Sequence, residues 1–500
     1  MINSKKPISE NSRRPYFFTG KHKDLGSIRK SRAKGKAVSS LEEALRLTEI
    51  RDGMTISFHH HLRNGDLVVN MALETLASMG LKDLTLAPSA LFPVHEDILR
   101  HVRSGVVRTI EGSVNGPVGR AASRGLFPSP VILRSHGGRV RAMQTGELKV
   151  DVAIIAAPTA DRMGNLSGIS GPSACGSLGY AFSDAQYADR VIALTDNLVP
   201  FPAVPWSIPQ TLVDWVVPVE RIGIPEKIVS GTLRVTRDPL RLVIAEKVAA
   251  IVEESGMFAD GFSMQAGAGG ISLAAADFIR KKMKSARIRG SFISGGITGQ
   301  SVEMLKEGLF DSLIDVQSFD LEAVASIASN PAHGEMSASF YANPAAKSCS
   351  VDMLDVAVLG ATQVDTDFNV NVNTESDGTL LHGTGGHMDT AAGAAMTVVV
   401  TPLFRGRMPM IVDRVITKTT PGNTVDVVVT ERGAAVNPLR KDLLDNLRGK
   451  VPLVEIEDLK KMAEAFTGIP KPPPFGDRVI GVVEYRDGSE IDVIRDLPRN

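Results

Sequence analysis

From about residue 40 onward the apolar positions keep two rhythms. Short unbroken runs such as "MTISF" (54–58), "DLTLAP" (83–88), "VDVAIIAAP" (150–158) and "RVIALTD" (190–196) read as strands buried on both faces. Between them lie stretches with apolar residues three and four apart. "DLVVNMALETLASMG" (66–80) predicts a helix with Asp66 as N-cap and Gly80 as its stop, and "HEDILRHVRSG" (95–105) predicts another. Strand, helix, strand, helix in this order implies right-handed βαβ units and a parallel sheet.

The proline-rich segment "NLVPFPAVPWSIPQ" (197–210) ends the alternation, and the theme restarts after about 235. "RLVIAEKVAAIVEESG" (241–256) is an amphipathic helix. "GFSMQAGAGGISLAAADFIRKKM" (261–283) and "IRGSFISGGITGQSVEMLKEG" (288–308) each read strand, glycine turn, helix. "VAVLGATQVD" (356–365) and "DVVVT" (426–430) are further strands, and "KPPPF" (471–475) is a stiff linker. "VIGVVEYRDGSEIDVIRDL" (479–497) predicts a terminal hairpin about its Asp-Gly turn. The expected organisation is a basic arm at 1–38, one α/β domain at 39–235, and a second at 236–500 that includes the hairpin.

Three glycine turns stand out in the second half: "QAGAGG" (265–270), "SGGITG" (294–299) and "HGTGGHMD" (382–389). Each reads as a strand-to-helix passage that leaves backbone N–H groups and a positive helix end beside one spot. Such donors suit a phosphate or the oxyanion of an attacked carbonyl. No GxxxxGK[ST] is present, and no GxGxxG is followed by an acidic residue at the required distance, so neither nucleotide motif is supported.

Lys plus Arg and Asp plus Glu are equal at 56 each, which removes any global case for nucleic acid or an anionic membrane. The exception is 21–36, with seven Lys/Arg against one Asp, read as a solvated arm or a docking arm for an acidic partner. Two cysteines, Cys175 and Cys349, fit a reducing compartment. With no apolar signal region and no run of about 18 apolar residues, the expected location is cytoplasmic.

The ordered motifs resemble those of coenzyme A transferases. "PTADRMGNLSG" (158–168), "QAGAGGIS" (265–272), "FYANP" (340–344), "DVAVLGATQVD" (355–365), "GTGGHMDTAAGA" (383–394) and "VVVTERGAAVN" (427–437) are similar to that family's motifs and follow its order. "SFHHHLRNGD" (57–66), "GSVNGPVGRAASRG" (112–125) and the stretch 153–171 look like the citrate lyase alpha-subunit branch. The resemblance implies two tandem open α/β domains of the coenzyme A transferase type, with mostly parallel sheets and a site between them. It also implies exchange of an acyl-carrier thiol from an acetyl thioester to citrate. The implied partners are a beta (lyase) subunit and a gamma (acyl-carrier) subunit in an oligomeric complex. No cofactor is held permanently, and the partner carrier's phosphopantetheine-type, dephospho-CoA-derived group brings the thiol. Where the wider family places a nucleophilic glutamate, this chain reads "SFISGGITG" (291–299), which implies direct attack by substrate carboxylate through a mixed anhydride. The alternatives are an ordinary coenzyme A transferase or a citramalate-specific counterpart, or a non-catalytic scaffold of the complex.

The candidate catalytic residues are Gly385, Gly386, His387, Gly269 and Gly270. Candidate substrate-binding residues are His59, His60, His61, Arg63, Asn165, Ser294, Gly295, Gly296 and Gly383. Three consecutive histidines do not converge on one ion, so no metal is expected. They read as a polar loop with a buried histidine or, with Arg63 and Asn64, as a tricarboxylate loop. His387 reads as a carbonyl-polarising group or as a cap, and Asn165 as a substrate contact or a turn residue. Ser294, Gly295 and Gly296 are expected to leave room for substrate. Arg120, Arg124, Arg134, Arg139 and Arg141 are candidates for carboxylate or phosphate contacts. Glu335, Glu375 and Glu431 are the carboxylates nearest the family motifs.

Overall fold

A computed structural model describes residues 35–228 and 234–498; the expected arm, through residue 34, lies outside the described residues. Its last residues are not arm-like, since the Val38 N–H donates to Val216 O at 2.9 Å.

Two sheets organise the chain, each built from the apolar runs. The first contains β1 (Thr55–Phe58), β2 (Leu84–Pro88), β3 (Val107–Gly112), β4 (Val131–Leu133), β5 (Val152–Ala156), β6 (Arg190–Thr195) and β7 (Trp215–Pro218). The second contains β8 (Met264–Ala266), β9 (Gly290–Ile297), β10 (Phe310–Ser318), β11 (His333–Glu335), β12 (Val356–Gly360), β13 (Met396–Val400), β14 (Val427–Thr430) and β15 (Gly433–Val436). The terminal hairpin forms as β16 (Val479–Glu484) and β17 (Glu490–Arg495).

The orders are β7-β6-β5-β1-β2-β3-β4-β16-β17 and β11-β10-β9-β8-β12-β13-β14-β15. Read outward from β1 and from β8, the two orders coincide strand for strand. β1 and β8 are central, the next three strands lie on one side, and β5-β6-β7 match β12-β13-β14 on the other. Every pair is parallel apart from the terminal antiparallel partners β15 and β17. Strands covered on both faces need no apolar–polar alternation, and β2, β5, β12, β13 and β14 are buried almost throughout.

The hairpin corrects the expected domain boundary. β16 pairs in parallel with β4, Val482 opposite Ile132, so the last strands extend the first sheet. The chain therefore crosses from the second half back to the first. Glu484 fixes the return by accepting from Arg134 Nε at 3.0 Å and Arg141 Nη2 at 3.2 Å.

The duplication extends to one turn. Asp161 Oδ1 accepts from the Asn165 N–H at 3.2 Å and its Oδ2 from Asn165 Nδ2 at 2.8 Å. Asp365 Oδ1 accepts from the Asn369 N–H at 2.9 Å and its Oδ2 from Asn369 Nδ2 at 3.2 Å. Further along, Asp161 takes the Ala203 N–H and Asp365 the Val415 N–H. The same Asp-x-x-x-Asn device closes the strand end in each half.

Candidate active site

A cavity of about 870 Å³ lies between the halves at the carboxyl ends of their strands. Ligands sit at that edge in open α/β sheets because successive turns and helix N-termini converge there. The first half contributes His60, Arg63, Asn115, His136 and Tyr180. The second contributes Gln265, the 267–270 turn, Gln317, Phe319, Tyr341 and 381–387. None of the described residues lining it is Asp or Glu.

The histidine triplet divides. Side chains alternate between faces as an extended chain leaves a strand, so His59 and His61 turn inward while His60 faces the cavity. His59 Nε2 accepts from the Ala156 N–H at 2.8 Å, and its Nδ1 lies 2.5 Å from His61 Nδ1. Neither ring lines the cavity, which corrects their assignment to substrate. Burial pulls both below the usual histidine range, so they stay neutral in the interior. His60 bonds Ser89 Oγ through Nδ1 at 2.6 Å and stacks on Tyr180 with ring centres 4.7 Å apart. Among the described residues no group of three or more His, Cys, Asp or Glu converges as a metal site.

Arg63 lies on the cavity wall in the left-handed region, with φ of 52°. Its guanidinium carbon is 4.5 Å from the centre of the Phe319 ring and 5.1 Å from that of Phe92, a cation between two π faces. Burial lowers its pKa to about 10, so it remains a cation at neutral pH.

Two of the three glycine turns face the cavity. The first carries Gly267 to Gly269 into helix Gly270–Ala286. Gly267 N–H is spent on Val358 O at 2.8 Å; among the described residues nothing accepts from the N–H groups of Gly269, Gly270 or Ile271. The turn at 383–386 leads into the short helix His387–Gly393, from an extended loop and not from a strand. Gly385 takes φ of 61° there. Gly383 is seated so tightly that a Cβ would lie 2.0 Å from Ser113 Oγ, and one on Gly386 would lie 2.6 Å from Tyr341 Oη.

The third turn is used differently. The Gly299 N–H at its helix start donates to Asp320 Oδ2 at 2.7 Å, so a carboxylate already occupies that N-terminus. A Cβ on Gly295 would lie 2.8 Å from Gln265 Cδ, and one on Gly296 would lie 2.2 Å from the Phe319 ring. These glycines make room for Gln265 and Phe319, and only through Gly296 do they border the cavity. Ser294 lines a small void of about 20 Å³ and not the main cavity.

His387 lines the cavity with both nitrogens engaged: Nε2–H donates to Gly360 O at 3.0 Å and Nδ1 accepts from Thr420 Oγ1 at 2.7 Å. Burial lowers its pKa to about 4. The neutral ring pins the 383–386 turn to the end of β12; it does not present a free proton. Asn165 lies outside the cavity, bound into the Asp161 turn. Arg139 is held by Asp184 at 2.6 and 3.1 Å, Arg134 by Glu111 and Glu484, and Arg141 by Glu147 and Glu484. Arg120, Arg124, Glu335, Glu375 and Glu431 do not line the cavity either. Cys175 and Cys349 are buried, with burial pushing the Cys349 thiol up to about 12.

The residues that sequence reasoning missed are His136, Tyr180, Gln265, Gln317 and Tyr341. Gln265 Nε2 donates to Tyr341 Oη at 2.8 Å, while its buried Oε1 has no partner among the described residues. His136 opens the helix His136–Thr145, capped by Ser135, and its ring centre lies 4.6 Å from that of Tyr180. "QAGAGG" signalled Gln265; nothing local in "RSHGGR" marked His136.

Two mostly parallel sheets with a cavity between them give the chain a coenzyme-A-transferase-like fold. The 4-hydroxybutyrate CoA-transferase of Porphyromonas gingivalis shares this fold with a TM-score of 0.54 over 86% of this chain and 96% of its own, at 16% identity. The family model for the citrate lyase alpha subunit (CitF) matches residues 34–497. The citrate lyase alpha chain of Klebsiella pneumoniae is 48% identical over 493 residues, 98% of this chain and 97% of that one. A Streptococcus mutans chain assigned as the alpha subunit of citrate lyase, solved in complex with citrate, superposes with a TM-score of 0.92 at 48% identity, covering 94% and 92% of the two chains. The chain belongs to the citrate lyase alpha-subunit family.

Proposed function

We propose that the cavity exchanges the thiol of an acyl carrier between acetate and citrate, without a covalent acyl-enzyme. The observation that carries this reading is a large wall that, among the described residues, has a buried cation and backbone N–H groups without an acceptor but no carboxylate. Arg63 offers a planar fork to one citrate carboxylate. A second citrate carboxylate attacks the acetyl thioester carbonyl, and the C–S bond breaks to release the carrier thiolate. The thiolate then attacks the citryl carbonyl of the mixed anhydride, and acetate leaves. The net exchange neither consumes nor releases a proton. Both attacks place charge on a carbonyl oxygen, and the N–H groups at 269–271 on the cavity wall supply donors for it. Such donors contribute about 2.7–4 kcal/mol each to the transition state. Citrate bound in the Streptococcus mutans relative supports the choice of acceptor. The neutral rings of His60 and His136 leave the entering carboxylate unprotonated while Tyr180 walls off water.

Borohydride added with acetyl-carrier tests the absence of a covalent step. The expected result is retained activity with no reduced glutamyl residue in the peptide map. Reductive inactivation traced to one carboxylate would overturn the reading.

A further inference from the structure

The segment 234–243, RVTRDPLRLV, rests on the first turn of the cavity helix. The Thr236 N–H donates to Gly270 O at 3.1 Å, and a Cβ on Gly270 would lie 2.7 Å from Arg234 O. Asp238 then caps helix Pro239–Glu254, accepting from the Leu240 N–H at 2.9 Å. Ile244, Ala245, Val248 and Val252 turn into the core of the second half. Outside that core the first turns leave Leu240 and Val243 61% and 40% exposed, and Val235, just before the helix, is 48% exposed. Arg234, Arg237 and Arg241 are exposed on the same segment, and Arg241 reaches the cavity wall together with Arg405. Three arginines face one aspartate here, in a chain whose charges balance overall. That aspartate sits 3.8 Å from Arg241 and is otherwise committed to its own helix.

We infer that this ridge is the docking surface for the protein that delivers the thioester arm, and that it fits an acidic face bearing aliphatic side chains. The inference rests on the transfer reaction proposed above. A tethered arm has to be presented from a surface adjoining the cavity mouth, and this segment adjoins both the mouth and the N–H donors. Exposed Leu240 and Val243 add nothing for a free phosphate, whereas aliphatic contacts ringed by cations suit a protein partner. The basic stretch 21–36 of this chain has the ridge's own sign, so its composition offers no charge complement to this surface. A two-fold contact between copies would set arginine against arginine.

The test compares acetyl-carrier with the acetyl thioester of free pantetheine, using the full-length chain and the variants Arg237→Glu and Leu240→Ser, neither of which lines the cavity. The expected result is a KM for acetyl-carrier raised by about tenfold or more, with a weaker salt dependence in Arg237→Glu. The KM for the free thioester should stay within about twofold, as expected of a contact with the carrier surface alone. Equal losses on both substrates, or no loss on the carrier, would overturn docking here. If the unmodified chain turns over neither substrate, the reaction itself is rejected. Calorimetric titration with the carrier then decides docking alone: unchanged Kd in both variants rejects it, and a rise of about tenfold supports it.

Discussion

The Asp389 carboxylate accepts from the Gly137 N–H at 2.9 Å across 252 residues of sequence. Ser135 Oγ donates to its other oxygen at 2.8 Å. An aspartate on the second half thus caps the N-terminus of a helix in the first, where a negative charge is favoured. A Cβ on Gly137 would lie 1.9 Å from Ala342 O, so only the bare residue permits this approach. Arg486, carried in by the returning hairpin, stands 3.6 Å from the same carboxylate. The hairpin therefore belongs to the apparatus that fixes the two halves about the cavity.

Burial pushes Asp389 up to about 6. Between the ordinary aspartate range near 4 and 6, the folded chain holds this proton more tightly than the unfolded chain. The group's contribution to stability is full below that window and declines as pH rises through it. Asp389→Asn removes the titration. The difference in urea unfolding free energy between the parent and Asp389→Asn should shrink by about 2–3 kcal/mol from pH 4 to pH 6 and then level. A difference independent of pH would mean that folding leaves the proton affinity of Asp389 unchanged.

Asn165 and Asn369 occupy the same turn in the two halves, and neither lines the cavity. Replacing either by Ala should lower stability by about 1–2 kcal/mol through the lost side-chain hydrogen bonds. kcat/KM for citrate should change by less than about threefold, as for a substitution that touches no substrate. Denaturant melts and steady-state kinetics on both variants check this. A selective rise in citrate KM for Asn165→Ala would return that residue to the site.

Arg63 is the buried cation of the cavity wall. Arg63→Gln keeps a polar side chain but loses the charge and the fork. Citrate affinity, read by calorimetry, should fall by about 10–100-fold, the loss expected for a charge-assisted pair. Arg63→Lys should recover only part of it, because an ammonium cannot bind a carboxylate bidentately. Unchanged citrate affinity in Arg63→Gln would move the carboxylate subsite elsewhere on the wall.

Uninterrupted Val, Ile and Ala runs could be strands only within covered parallel sheets, so the α/β class was legible from hydrophobic order alone. Gly269, Gly270, Gly383, Gly385 and Gly386 were legible as a group because bare backbone next to a helix start is a local property. What adjacent residues could not disclose was which neighbour fills a turn. Asp320 closes the 294–299 turn from another strand end, and Gln265 and Phe319 take the space beside Gly295 and Gly296. His59, His60 and His61 are chemically identical, and only the alternation of the chain past β1, set against Ala156 and Tyr180, separates core from cavity. Local periodicity determined which segments become strands and helices. The placement of β16 beside β4 and the union of His136 with Gln265 on one cavity wall came from packing between residues far apart in sequence, and such contacts exist only once both sheets are assembled.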